Sequence, residues 1–209
     1  MKITKFLLSL VLIGGIMTGC NDSKNEKCNA SSTDTTEAVI NNIMTRTSVR
    51  RFTSQPIAKD TLDLIVKAGM AAPSAVDARP WAFVVVTDRP VLDSLNQVSD
   101  HYNLKTATAA IVVCGDLSKA LKDDAQSYWV QDCSAVSENI LLAAHAYGLG
   151  AVWCGAYPIQ DRVKAISQVL GLPENIVPLN VITMGHPDPD EPTQPKDKFN
   201  PQNIHYQKW

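Results

Sequence analysis

The chain has 209 residues, 45% of them hydrophobic and 19% charged, and a formal charge of −2, the profile of one folded domain with a sizeable core. That excludes a disordered chain, and 5 cysteines are too few for a disulfide-stapled miniprotein. With 19 basic against 21 acidic side chains no positive excess is left to hold a phosphate backbone, so nucleic acid is not an expected partner.

Lys2 and Lys5 precede an apolar run over residues 6–17, interrupted by Ser9 and followed by Thr18, Gly19 and Cys20. This is the layout of a secretory signal. The run is well short of the ~20 residues that a spanning helix needs, and Gly14 and Gly15 sit inside it. The ending Met17-Thr18-Gly19-Cys20 resembles a bacterial lipobox. That makes residues 1–19 the expected signal peptide, Cys20 the expected lipidation site and the bacterial cell envelope the expected location. Membrane contact would then come from the lipid anchor alone. Residues 20–36 are polar and offer almost nothing to bury, so they read as a flexible tether. The folded domain is expected over 37–209.

Val39, Ile40, Ile43 and Met44 have the spacing of one helical face and predict a helix over 37–45. A second helix is expected over 60–72, stopped by Pro73, and the apolar run 81–87 reads as a buried strand. A helix over 90–101 and a strand over 109–115 follow. Trp129, Cys133, Val136, Ile140, Ala143 and Tyr147 step by fours and threes, which predicts a long central helix over 125–147. Gly148 and Gly150 end it, 151–153 is a short strand, 158–170 is a helix with proline in its first turn and Gly171 behind it, and 176–184 is the last strand. Beyond Gly185 the sequence is rich in proline and has no periodicity, so the tail is expected to be extended and to lie on something else. No internal repeat is present. The alternation of helices and strands indicates a small sheet covered by helices, an α+β or α/β sandwich.

The chain has no G-x-S-x-G elbow, no C-x-x-C and no paired histidine spacing, so hydrolase and metal chemistry are not expected. Gly148-Leu149-Gly150 leaves a helix and enters a strand, the reverse of a dinucleotide-binding turn, and reads as a helix cap. The segment 46–52 is different. Arg46, Ser48, Arg50 and Arg51 place guanidinium forks and a hydroxyl close together, a composition that grips phosphate. In an extended segment Arg46, Ser48 and Arg50 project to one side. A solvated basic loop would have the same composition.

Three signatures in order carry a resemblance. Arg46-x-Ser48-x-Arg50-x-Phe52, then Ala72-Pro73-Ser74-x-x-Asp77-x-Arg79-Pro80-Trp81 leading into Phe83, then Gly148-Leu149-Gly150-x-x-Trp153-x-Gly155 are similar in order and spacing to those of the FMN-dependent nitroreductase family. The basic tail adds a fourth. The resemblance runs from about residue 37 to the end and implies an α+β homodimer with a small central sheet flanked by helices. FMN would lie in the subunit interface, with the extended C-terminal tail on the partner. It implies that Arg46, Ser48 and Arg50 hold FMN, that Lys196 and Lys198 reach the same phosphate, that Pro73, Ser74, Asp77 and Arg79 approach the flavin from the other subunit, and that Trp153, Cys154 and Gly155 lie against the ring. Family members usually carry Asn where this chain has Asp77 and Gln where it has Arg79. Pairing between Asp77 and Arg79 would offset the carboxylate's charge beside the flavin.

The implied activity is reduction of nitroaromatic, quinone or related aromatic acceptors by ping-pong hydride transfer from a reduced donor such as NAD(P)H. The cofactor does the chemistry, so no catalytic residue of the protein is expected. An exported chain would meet little NAD(P)H, which leaves the donor open, as the sequence leaves the acceptor. The rival reading is a lipid-anchored protein that binds flavin or a small aromatic without turnover. Cys114 and Cys133 read as core, Cys28 falls in the tether, and Cys154 reads as a small residue in a tight loop.

Overall fold

The computed structural model describes residues 32–190 and 192–209. The expected signal peptide, Cys20 and Cys28 lie outside the described residues. The elements run in the order α1 (Ser32–Thr45), α2 (Lys59–Gly69), β1 (Trp81–Val86), α3 (Arg89–Val98), β2 (Ala109–Asp116), α4 (Tyr128–Ala146), β3 (Gly150–Gly155), α5 (Gln160–Leu170) and β4 (Ile176–Gly185).

The sheet has the order β1-β2-β4-β3, and all three pairings are antiparallel. That settles the sandwich as α+β rather than α/β. β2 is buried along its whole length, because both faces of the sheet are covered and its side chains alternate between two cores. Ala109, Ile111 and Val113 join Ile65 of α2 and Trp129, Cys133, Val136 and Ile140 of α4. Ala110, Val112 and Cys114 join Leu92 and Leu95 of α3, Tyr102 and Ile166 of α5. The small central sheet flanked by helices is as expected.

Several boundaries differ, each for a physical reason. α1 begins at Ser32, inside the stretch read as tether, since its first turns are polar and carry no periodic signal. Its apolar face is not buried: Val39, Ile40, Ile43 and Met44 are exposed. Instead α1 meets α4 through polar groups, with Asn42 Nδ2 donating to the Leu142 carbonyl at 3.1 Å and Thr45 Oγ1 sharing a 2.9 Å hydrogen bond with His145 Nε2. The run 81–87 is an edge strand rather than a buried one, and Val85 is exposed. A valine run looks the same in both settings. On α4 the stripe holds through Ile140, but the last turn buries Ala144 while Ala143 is half-buried and Tyr147 exposed. α5 starts at Gln160, and Pro158 lies ahead of it after a cis Tyr157–Pro158 bond. Gly148 caps α4 with φ +70°, its N–H donating to the His145 carbonyl at 2.9 Å while Leu149 N–H reaches Ala144 at 2.9 Å. This is the left-handed helix ending that glycine favours, and the dinucleotide-loop reading falls with it.

One feature was not legible in the periodicity. The segment 46–52 joins the free edge of β3 at Ser48, which bridges Ala151 in parallel, and reaches the chain just beyond β4 at Phe52, which bridges Pro187. Val49 N–H donates to the Ala151 carbonyl at 3.1 Å. The contact is close because the strands offer glycine there. A Cβ on Gly150 would stand 2.7 Å from Val49 Cβ, and one on Gly185 would stand 2.9 Å from Phe52 Cβ, so alanine at either position would force the segment away from the sheet.

Candidate functional site

Val49 and Phe52 are buried in the sheet's second core and anchor the segment. Arg46, Ser48 and Arg50, which flank Val49, line one cavity of about 440 Å3, together with Thr47, Thr193, Gln194, Lys196 and Lys198. The structure brings together the basic residues expected from both ends of the domain. Thr47 Oγ1 and Thr193 Oγ1 share a hydrogen bond across this cavity and tie the tail to the segment. Arg46 is largely buried and its Nε lies 3.5 Å from Glu138 Oε1 on α4, so its guanidinium is oriented before any ligand arrives. Arg50 NH1 donates to the Ser48 carbonyl at 3.4 Å. A loop of solvated charge would show no such convergence.

Arg50 also lines a second cavity of about 370 Å3, shared with Asp100, His101, Asn103, Val152, Trp153, Cys154, Gly155 and Arg162. The two cavities therefore adjoin at Arg50. At the floor of the second, a Cβ built on Gly155 would meet nothing within 4 Å. Any larger side chain there would project into open space beside the β3 backbone. The Gly155 carbonyl is held by Arg162 NH1 at 3.1 Å. Cys154 is buried, and its thiol donates to the His101 carbonyl at 3.3 Å. Burial pushes its pKa up against the hydrogen bonds and the Arg50 and Arg162 charges that act the other way, so the sulfur stays a thiol and the residue serves packing.

Cys114 and Cys133 are core, as expected, and burial pushes both thiols up to about 12.

Pro73, Ser74, Asp77 and Arg79 line neither cavity of the chain that carries them. They form an exposed loop between α2 and β1. Arg79 grips Asp77 with both prongs, Nε donating to Oδ1 at 2.7 Å and NH2 to Oδ2 at 2.5 Å. The guanidinium holds the Asp77 carboxyl below its ordinary value, chiefly through that hydrogen bond. Val76, Asp77 and Arg79 all have positive φ, at 47°, 57° and 49°. Arg79 N–H to Ser74 Oγ at 2.9 Å and Ala75 N–H to Asp132 Oδ1 at 2.8 Å keep the loop in that shape.

Asp100, His101, Asn103 and Arg162 join the cavity without belonging to any of the sequence signatures. Asp100 and His101 fall at the end of the stretch expected to be helical, which instead stops at Val98, and Asn103 lies in the connection beyond it. Arg162 carried a usable signal, as the basic residue in the opening turn of the helix that follows the Trp153–Gly155 strand end.

A basic cavity suits a phosphate, and an adjoining slot with an open glycine floor suits a flat ring. Comparison with known proteins agrees. Residues 43–102 and 91–186 match the family described as Nitroreductase. A protein of Archaeoglobus fulgidus named "Putative NADH dehydrogenase/NAD(P)H nitroreductase" is 45% identical over 177 residues, covering 83% of this chain and 99% of that one. A crystal structure bearing the same name from Bacteroides thetaiotaomicron is 45% identical with a TM-score of 0.76, over 82% of this chain and 98% of that one. A protein of Clostridium difficile called FMN-dependent nitroreductase is 28% identical with a TM-score of 0.74, over 81% of this chain and 99% of that one. On sequence, fold and the order of its site segments, this chain belongs to the nitroreductase family.

Proposed function

We propose that this chain is an FMN-dependent oxidoreductase that reduces nitroaromatic, quinone or related aromatic acceptors with electrons from a reduced donor such as NAD(P)H. The observation that carries the reading is the gathering of Arg46, Arg50, Lys196 and Lys198 at one cavity that opens, at Arg50, onto the glycine-floored slot of β3. When bound, FMN supplies the redox chemistry, accepting a hydride from the donor and passing it to the acceptor. The protein's part is to bind and orient. Arg46, pre-set by Glu138, and Lys196 and Lys198 would take the phosphate by charge-assisted hydrogen bonds. Ser48 offers a hydroxyl to the polar chain, and Arg50 stands where the two cavities meet, placing a cation beside the ring. Gly155 leaves the space the ring needs. The chain's relatives carry enzyme names, which favours turnover over flavin binding alone.

Homodimerisation belongs to the same proposal. The loop with Pro73, Ser74, Asp77 and Arg79 would complete the partner's site, and the Asp77–Arg79 pair would present a neutralised carboxylate there. Anchoring at the cell envelope through Cys20 is proposed on the lipobox resemblance. Metabolic labelling with a fatty acid tests it, since Cys20→Ala should abolish the label. Among the described residues no helix is long and apolar enough to cross a membrane.

The test of function is colour and its loss. The full chain should purify yellow or take up FMN stoichiometrically, bleach anaerobically with NADH or NADPH, and regain colour on adding a nitroaromatic or quinone. A yellow protein inert to every donor would mean binding without turnover, and a protein that refuses FMN would overturn the reading.

A further inference from the structure

Arg162 lies in the first turn of α5 and lines the β3 cavity with Arg50 and His101. Among the described residues its one hydrogen bond, from NH1 to the Gly155 carbonyl at 3.1 Å, uses a single N–H of a guanidinium that has five. Neither Arg162 nor Arg50 has a carboxylate partner among the described residues. Asp100 and His101 are the other titratable side chains on the cavity wall besides Cys154, whose thiol burial keeps protonated. Two guanidinium charges therefore face one carboxylate, and the cavity is cationic in a chain of net charge −2. Trp153 supplies a ring to the same wall. A cation whose fork is already fixed at one prong gives up less freedom on meeting a second planar partner.

We propose that the part of this cavity left beside the bound FMN ring selects molecules in which a second flat ring carries an anionic oxygen group, carboxylate or phosphate, and that the Arg162 fork receives that group. The inference rests on the FMN reading above and names the substrate class of the same site. The anion could belong to the acceptor or to the donor. The shared chemistry is a pair of N–H donors meeting a pair of anionic oxygens.

The FMN-loaded full chain should be titrated with benzoate and with its neutral isostere benzamide, following the flavin's visible absorbance. Benzoate should bind at least about tenfold more tightly, the size expected of a charge-assisted hydrogen bond. Arg162→Gln should erase that preference, Arg162→Lys should restore part of it by returning the charge without the fork, and Asp100→Asn should strengthen benzoate binding. The ratio of kcat/KM for 4-nitrobenzoate over 4-nitrobenzamide should fall with the titration in Arg162→Gln if the acceptor carries the anion. If the donor does, the ratio for reduced nicotinamide mononucleotide over phosphate-free N-benzyl-dihydronicotinamide should fall instead. Wild-type protein that binds benzoate and benzamide equally, or a preference that survives Arg162→Gln, would overturn the inference while FMN binding stands. A chain that takes up no FMN overturns both readings.

Discussion

Gly155 has the fewest constraints of the residues in the site and is the sharpest probe of it. Because a Cβ there would meet no protein atom within 4 Å, Gly155→Val should fold with a thermal midpoint close to the parent's. The branched side chain would nevertheless occupy the slot, so FMN uptake should fall by an order of magnitude or more, read by fluorescence titration. A large drop in midpoint would show that the glycine serves the fold. Asp116 is the opposite case, a buried carboxylate with a structural task. It accepts from Ser118 N–H at 3.0 Å, Ser118 Oγ at 2.5 Å and Asn175 Nδ2 at 2.8 Å, and pairs with Lys119 Nζ at 3.0 Å. These bonds, the Ser118 hydroxyl first, hold its carboxyl well below the usual range. A depressed carboxyl stabilises the fold above its unfolded value of about 3.9 and loses that contribution as pH falls through the folded value. Asp116→Asn should therefore cost roughly 1–3 kcal/mol at neutral pH, and the gap to the parent should begin to narrow below about pH 4 and go on narrowing as the pH falls toward the folded value. Denaturant midpoints at pH 7 and pH 3 check this; a gap that does not change with pH would assign the role to shape alone.

At the scale of elements, α2 and α4 meet so closely that a Cβ on Gly69 would lie 2.7 Å from Ile140 Cγ1 and 3.3 Å from Val136 Cγ1. Gly69→Ala should destabilise by overpacking, and Ile140→Ala should cost about 2–5 kcal/mol by leaving a cavity. Combined, the added methyl partly refills the removed volume, so the double variant should be more stable than the sum predicts by about 1 kcal/mol. Additive free energies of unfolding would mean that the helices simply move apart. The sequence announced this seam, because a stripe through Trp129, Cys133, Val136 and Ile140 has a period that packing on a sheet explains. It announced the cation site as well, by composition at 46–51 and, through the family resemblance alone, at Lys196 and Lys198 on the same phosphate. What was hidden depends on pairing between distant strands. Whether the valines of β1 face two layers or one depends on the edge position of that strand. The docking of 46–52 on β3 and the end of β4 depends on Gly150 and Gly185, whose meaning shows only once Val49 and Phe52 lie on them. Arg162 stood in the telling place, the opening turn after the β3 strand end, but a lone arginine on a polar helix face is ordinary until the carbonyl it holds is known.

At the scale of the molecule, two kinds of exposed surface bear on the proposed dimer. The tail carries Phe199, Tyr206 and Trp209 in the open, and α1 turns Val39, Ile40, Ile43 and Met44 outward. Apolar surface of this kind on both an element and a tail suits an isologous contact, in which each copy gives the other the same patch. Arg46, Arg50, Lys196 and Lys198 add a second imbalance, since their like charges repel until a phosphate joins them. The two effects can be separated. In mild detergent the full chain should sediment as a dimer, and Ile40→Asp with Met44→Asp should give a monomer that also loses FMN, because Pro73, Ser74, Asp77 and Arg79 would no longer reach the partner's cavity. Lys196→Gln with Lys198→Gln should leave the dimer intact while weakening FMN binding by about tenfold or more. It should also flatten the dependence of that binding on ionic strength, since two of the charges that salt screens are gone. Sedimentation velocity and flavin titration on the same samples read both quantities. A monomeric parent that binds FMN at full strength would show that one chain completes the site, and the exposed loop at 73–79 would then need a different purpose.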